Sequence, residues 1–147
     1  MKVSITENPR LSEVSVDITC PQINETVSRI VANLNTFNNK LIGKDNGQTH
    51  ILSTNDIFYF ETVDRKTFMY THSKVFETPL RIYELMERFE DTEFIQISKQ
   101  MIVNFDKVIA VRPEFNARLQ LILPNNETVI VSRQFSPYIK RKLGTIG

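Results

Sequence analysis

Asp56-Ile57-Phe58-Tyr59-Phe60-Glu61-Thr62-Val63-Asp64-Arg65-Lys66-Thr67-Phe68-Met69-Tyr70-Thr71 holds two short, aromatic-rich apolar runs on either side of a polar turn. Apolar runs this short, rich in aromatics and bounded by polar turn residues, read as strands, because a helix needs roughly ten or more residues. Strands are therefore expected at 57–61 and 68–71, joined through Asp64-Arg65-Lys66-Thr67. The same rhythm continues in both directions, with strands expected at 50–53, 75–78, 94–97, 101–104, 108–111, 119–123 and 128–131. Pro124-Asn125-Asn126-Glu127 joins the last two, and paired Asn tolerates the positive φ of a tight hairpin. One helix interrupts the series, with Thr78 as N-cap, Pro79 in the first turn, and Ile82, Leu85, Met86 and Phe89 on one face. Many short strands around one helix predict a mainly β domain with α elements, in the α+β class.

Ahead of this domain the pattern is different. Val14, Val16, Ile18 and Cys20 alternate at period two, which predicts a half-buried strand ended by Pro21. Ile23, Val27, Ile30, Val31, Leu34 and Phe37 follow at helical spacing, with Asn24 as N-cap. Such a stripe either covers the domain's own core, the usual outcome for a surface helix, or offers a dimerisation or partner surface. Residues 40–47 read as a polar connection closing on the turn Asp45-Asn46-Gly47. Two regions are expected: a strand–helix extension over 1–45 and a β-rich domain over 46–147.

Composition narrows the class. A chain of 147 residues buries a core without staples. Its 41% hydrophobic and 24% charged residues are ordinary for a soluble globular protein. Cys20 is the single cysteine, so no internal disulfide forms and a reducing compartment fits. The first ten residues lack the apolar core of a signal peptide, and no apolar run nears the ~20 residues of a membrane span. A cytoplasmic location is expected, and the sequons at Asn24 and Asn126 then read as chance matches. The net charge of +1 conceals an uneven distribution. Arg133, Lys140, Arg141 and Lys142 crowd the last stretch with no acid among them, while Glu77, Glu84, Glu87, Glu90, Asp91 and Glu93 cluster earlier. A polyanion responds to the local field within a Debye length of ~8 Å, not to the total.

Catalytic chemistry finds little support. His50 and His72 lack metal-ligand spacing, and Cys20 reads as a small apolar group at a strand end. Glycine occurs only at 43, 47, 144 and 147, which excludes a Walker A loop and a dinucleotide-binding triplet. No Ser or Cys stands in a nucleophile elbow, and nothing pairs the carboxylates into an acid/base couple. No enzyme, metal or cofactor is expected. The positive signals are three polar loops at strand ends: Asp64-Arg65-Lys66-Thr67, Ser98-Lys99-Gln100 and Ser132-Arg133-Gln134, the last leading into the basic tail with Lys140 and Arg141. Each offers a cation beside a hydrogen-bonding neighbour. Such groups contact phosphates, and Arg or Lys also reads guanine and Gln adenine in the major groove. Any one of them taken alone is ordinary turn polarity.

Five stretches together resemble the LytTR DNA-binding domain of bacterial response regulators. They are Asp56-Ile57-Phe58-Tyr59-Phe60-Glu61, where the family has an I-x-[YF]-[IF]-E-like strand; the helix from Thr78-Pro79-Leu80 to Phe89; Phe94-Ile95-Gln96-Ile97-Ser98-Lys99-Gln100; Ile102-Val103-Asn104, matching a V-N step; and Val131-Ser132-Arg133, matching a terminal S-R. The resemblance runs over about two-thirds of the chain. It implies a stack of small antiparallel sheets with one short helix, in which strand-end loops, not a recognition helix, enter successive major grooves. Arg133 matches the family's base-contacting Arg, Lys99 the second contact position, and Arg65-Lys66-Thr67 the third, in a register uncertain by one residue. Gln100 departs from the Ser of many members. Ser132, Lys140 and Arg141 complete the expected DNA contacts. Asn104, Phe58 and Phe60 are expected to support the fold.

A receiver of ~120 residues ordinarily precedes this unit, and the ~45 residues here are too few for one, given typical domain sizes. The chain is thus expected to be similar to the stand-alone members. The resemblance implies double-stranded DNA as partner, two copies or a homodimer on direct-repeat sites, an encounter with RNA polymerase, and restraint by a membrane-protein inhibitor. The rival reading is a β-rich protein-interaction module that does not bind DNA.

Overall fold

The computed structural model describes residues 1–146, with the side chains of 32, 33, 35–38, 145 and 146 outside that description. The chain divides into two compact units, Met1–Asn38 and Asn39–Gly147. In the first, helix α1 (Glu25–Asn38) lies where helical spacing expects it. Asn24 caps it, its Oδ1 accepting the Val27 N–H at 3.0 Å. Phe37, expected on the apolar stripe, has its side chain outside the described residues. The strand expected at 14–20 does not form: no strand is assigned there, and Val14 is 91% exposed. Alternation sorts side chains onto two faces, but a strand also needs a neighbour to accept its backbone bonds.

The second unit begins ahead of the expected boundary at 45/46, because the polar stretch after Asn39 is a strand. β1 (Lys40–Asp45) pairs antiparallel with β2 (Gln48–Ser53), Leu41 facing Leu52 and Asp45 facing Gln48. The turn signal was well placed: Asn46 (φ 49°) and Gly47 (φ 78°) make the two-residue turn. The alternation in β1 was hidden because its second inward position is glycine. A Cβ on Gly43 would lie 2.8 Å from the Phe76 Cβ and 2.7 Å from the Met69 Cε, so only glycine lets β1 sit this close.

There follow β3 (Tyr59–Val63), β4 (Lys66–Tyr70), β5 (Val75–Thr78), helix α2 (Ile82–Arg88), β6 (Phe94–Ser98) and β7 (Met101–Asn104). These strands join the first hairpin in a seven-stranded antiparallel sheet of order β2-β1-β5-β4-β3-β7-β6. Then β8 (Ala110–Pro113), β9 (Leu119–Ile122) and β10 (Thr128–Val131) form a three-stranded sheet, and helix α3 (Ser136–Ile146) closes the described chain. The expected stack of small sheets is thus one large sheet and one small one.

Period two then builds two cores, one on each face of the large sheet. Phe76, Met69, Phe60 and Ile102 stand in register across β5, β4, β3 and β7, and pack with Leu85 and Phe89 of the α2 region. The intervening Val103 and the β6 residues Ile95 and Ile97 pack on the other face, against Leu119, Leu121, Val129 and Val131 of the small sheet and Ile139 of α3. Each such fully buried side chain contributes roughly 1.5–3 kcal/mol of transfer free energy. Asn104 ends β7 inside this packing. Its Nδ2 donates to the Ile57 carbonyl at 3.0 Å and its Oδ1 accepts the Asp106 N–H at 3.2 Å, a supporting role as expected.

Helix α2 starts later than expected. Thr78 belongs to β5, buried and facing Thr67, and its Oγ1 accepts the Leu80 N–H at 3.3 Å in the turn ahead of the helix, whose N-cap is Arg81. The Glu84 carboxylate instead accepts the Arg81 N–H at 3.1 Å ahead of the first turn. The strand expected at 108–111 is displaced to β8 by a 3-10 turn at Phe105–Lys107. Helix α3 was not expected, because its basic residues read as a solvated tail. Phe135, Ile139 and Leu143 recur every four residues, Ile139 fully buried and the other two packed against the same core. Pro137 sits in its first turn, where no N–H is needed.

Gly43→Ala is expected to destabilise the domain by about 1–3 kcal/mol, the cost of overpacking against a backbone-proximal atom. Urea unfolding measures it, and a neutral result would mean that β1 is not held against Phe76.

Candidate nucleic-acid interface

The β6–β7 hairpin turns through Lys99 and Gln100. Ser98 shapes it, its Oγ accepting the Gln100 N–H at 3.3 Å while its carbonyl accepts from Gln96 Nε2 at 3.0 Å. The Gln100 carbonyl accepts the Thr62 N–H at 2.8 Å, which fastens the turn to β3. On the small sheet, β10 ends at Val131, and the next residue bonds across: the Ser132 N–H donates to the Ile97 carbonyl at 2.9 Å. The Ser132 carbonyl in turn accepts the N–H groups of Phe135 (3.0 Å) and Ser136 (3.1 Å) and the Ser136 hydroxyl (3.1 Å). Arg133 and Gln134 are held between these anchors, on a turn leading directly into α3.

Ser98, Lys99, Gln100, Ser132, Arg133 and Gln134 consequently line one open concavity of about 620 Å³. Two of the three expected loops converge there. Lys99, Gln100, Arg133 and Gln134 are exposed, while Ser98 and Ser132 are half-buried. Ser98 and Gln134 were read only as parts of their loops, and it is the bond between the sheets that gives them a share in the concavity.

The third loop does not line this concavity, but it points the same way. Glu61 of β3 faces Met101 of β7, so β3 ends where β7 begins. The β3–β4 and β6–β7 turns are therefore at one end of the large sheet, two strand spacings or about 10 Å apart. The loop is tighter than expected. Val63 faces Lys66, leaving Asp64 (φ 51°) and Arg65 (φ 67°) as a two-residue turn of left-handed backbone. Arg65 and Lys66 are exposed. Thr67 is 3% exposed in β4, its Oγ1 3.4 Å from that of Thr62, so it is withdrawn from any surface contact.

Among the described residues no carboxylate lies within ion-pair distance of Lys99, Arg133, Arg65 or Lys66. Glu87 is the nearby acid, lining a neighbouring groove with Lys99 and Tyr83. The tail cations divide. Lys142 turns back, its Nζ 3.2 Å from the Glu93 carboxylate and above the Phe105 ring, whereas Lys140 and Arg141 are exposed on α3.

Other chemistry is sparse. Burial first, then the Glu127 carboxylate, holds the Tyr59 hydroxyl far above its ordinary value, and burial with Glu61 raises that of Tyr70. Both stay protonated, their rings stacked 4.2 Å apart, and Tyr70 donates to Glu61 at 3.1 Å. Among the described residues no cluster of His, Cys, Asp or Glu is arranged to hold a metal ion. No helix among them is long and apolar enough to cross a membrane.

Ile139→Ala is expected to cost about 2–5 kcal/mol, because it removes the fully buried anchor of α3. Thermal or urea unfolding measures this loss. A cost below 1 kcal/mol, outside the usual range for such truncations, would mean that α3 is not docked on the core.

Comparison with known proteins agrees with this architecture. An uncharacterised HTH-type transcriptional regulator of Staphylococcus aureus strain MRSA252 is 28% identical over 145 residues, covering 97% of this chain and 98% of that protein. Its counterpart in strain NCTC 8325 / PS 47 matches to the same extent. A LytTr DNA-binding domain of known structure from Bacillus cereus superposes with a TM-score of 0.68 at 22% identity, over 72% of this chain and 97% of that one. The family described as the LytTr DNA-binding domain matches residues 47–144, the stretch that carries all three loops and every strand except β1, and the chain belongs to this family of DNA-binding regulators.

Proposed function

We propose that this protein is a sequence-specific transcriptional regulator, acting in the cytoplasm, that reads the major groove of direct-repeat sites through its strand-end loops. The observation that carries this reading is the single exposed concavity in which Lys99-Gln100 and Arg133-Gln134 stand together, their cations free of carboxylate partners. The relatives named as transcriptional regulators, which match over nearly the whole chain, support the regulatory role.

Roles divide by position. Arg133 and Lys99, with Gln100 and Ser132 beside them, form the base-reading centre, where a bidentate pair is worth about 1–3 kcal/mol of discrimination. Arg65 and Lys66, on the turn about 10 Å away along the same sheet end, extend the contact along the duplex. Lys140 and Arg141 supply phosphate contacts, which displace counterions and give sequence-independent affinity. Each copy occupies one repeat.

A random-duplex selection tests the reading, with Arg133→Ala beside the unaltered protein. A repeated motif should be enriched, and Arg133→Ala should lose about 1–3 kcal/mol on it and relax one base position. Lys140→Ala should weaken binding to all duplexes alike and lower the salt slope by about one. Equal effects of both substitutions on selected and random DNA would show these roles to be wrongly assigned. No enrichment even at low salt would sink the DNA reading.

A further inference from the structure

A second cleft lies at the other end of the large sheet. β3 begins there and β4 ends there, whereas both meet at the Asp64-Arg65 turn at the DNA-facing end. It is an open cleft of about 550 Å³, within the usual size range of a small-molecule site. Its floor is apolar, formed by Phe58, Phe76 and Leu52. Lys74 and Lys107 stand at its walls, and Asp56 is the carboxylate among its lining residues. Neither lysine has a carboxylate within ion-pair distance among the described residues, Asp56 included.

Hydrogen bonds tie the walls together. Thr71 clamps the β4–β5 turn: its N–H and hydroxyl donate to the Lys74 carbonyl at 2.9 and 3.1 Å, and its Oγ1 accepts the Lys74 N–H at 3.1 Å. Asn125, on the β9–β10 turn of the small sheet, donates through Nδ2 to the His72 carbonyl at 3.1 Å. The His72 ring stands edge-on to Phe58 at 5.9 Å, and the Lys107 Nζ lies 5.7 Å from the centre of the same ring. Two lysines without carboxylate partners beside an aromatic floor match an anionic head on an apolar body.

We propose that this cleft binds a small organic anion, a carboxylate or phosphate monoester carried on a flat apolar group, at a site separate from the DNA face. The lysines hold the anionic head, and the Phe58, Phe76 and Leu52 floor takes the body. β3 and β4 run from this cleft to the Asp64-Arg65 turn, so the occupied cleft and the DNA-facing end share two continuous strands.

The test is an amide NMR titration of the full chain with phenyl phosphate, benzoate and, as neutral control, benzyl alcohol. Saturable shifts centred on Phe58, Lys74, Phe76 and Lys107 are expected for at least one anion, and which of the two binds more tightly identifies the head group. The double variant Lys74→Gln/Lys107→Gln should weaken that anion by about tenfold or more, the scale of a lost charge-assisted bond, and leave benzyl alcohol unchanged. Absence of saturation at millimolar concentrations, shifts centred on Lys99 and Arg133, or an unchanged affinity in the double variant would overturn the proposal. The double variant is also expected to bind DNA as the unaltered protein does when no anion is present. Weakened DNA binding would assign these lysines to the duplex and would likewise overturn it.

Discussion

The backbone bond from the Ser132 N–H to the Ile97 carbonyl joins the end of the small sheet to the edge strand of the large one. Without it, Lys99-Gln100 and Arg133-Gln134 would be two unrelated turns on two sheets. The bond lies over surfaces that are packed together: Ile95 and Ile97 meet Val129 and Val131 in one core. Hydrophobic burial brings the sheets together, and the directional bond then fixes which residues share a concavity. The large sheet must itself stay in place for this, so the second core on its opposite face, around Phe60, Ile102 and Leu85, also supports the site.

Much of this was legible in the sequence wherever short-range patterns set the structure. The aromatic strands 57–61 and 68–71, the hairpin turns and the capped N-terminal helix follow from alternation, turn residues and helical spacing. What escaped was whatever depends on a partner far along the chain. Residues 14–20 have the alternation of a strand, and no strand is assigned there. Residues 40–45 looked like a polar connection, yet β2 and β5 flank them and Gly43 permits the fit. The basic tail hid a helix because Lys140, Arg141 and Lys142 obscure the spacing of Phe135, Ile139 and Leu143. Of the site, the loops and their cations were visible in the pattern, while their convergence was implied only by the family resemblance, and two of the three share the concavity. Thr67 was read as part of a loop although its side chain faces inward from β4.

The S. aureus relatives carry the description HTH-type. In the described residues here, strands separate α1 from α2 and α2 from α3, so no two helices are joined by a short turn. A recognition helix brings its side chains to the groove on one rigid rod. On the proposed reading two turns from different sheets do that work, and their spacing depends on how the sheets are packed.

Arg65 shows what the protein sets aside to keep its charges in place. At φ 67°, following Asp64 at φ 51°, it occupies a backbone conformation that glycine adopts freely and a branched chain resists. The strain is on the order of 1 kcal/mol. A glycine at this tip would relax the hairpin and make the fold more stable, while removing a guanidinium from the end proposed to face DNA. Selection for thermal stability alone would therefore favour glycine at this turn, with one exposed cation fewer beside Lys66.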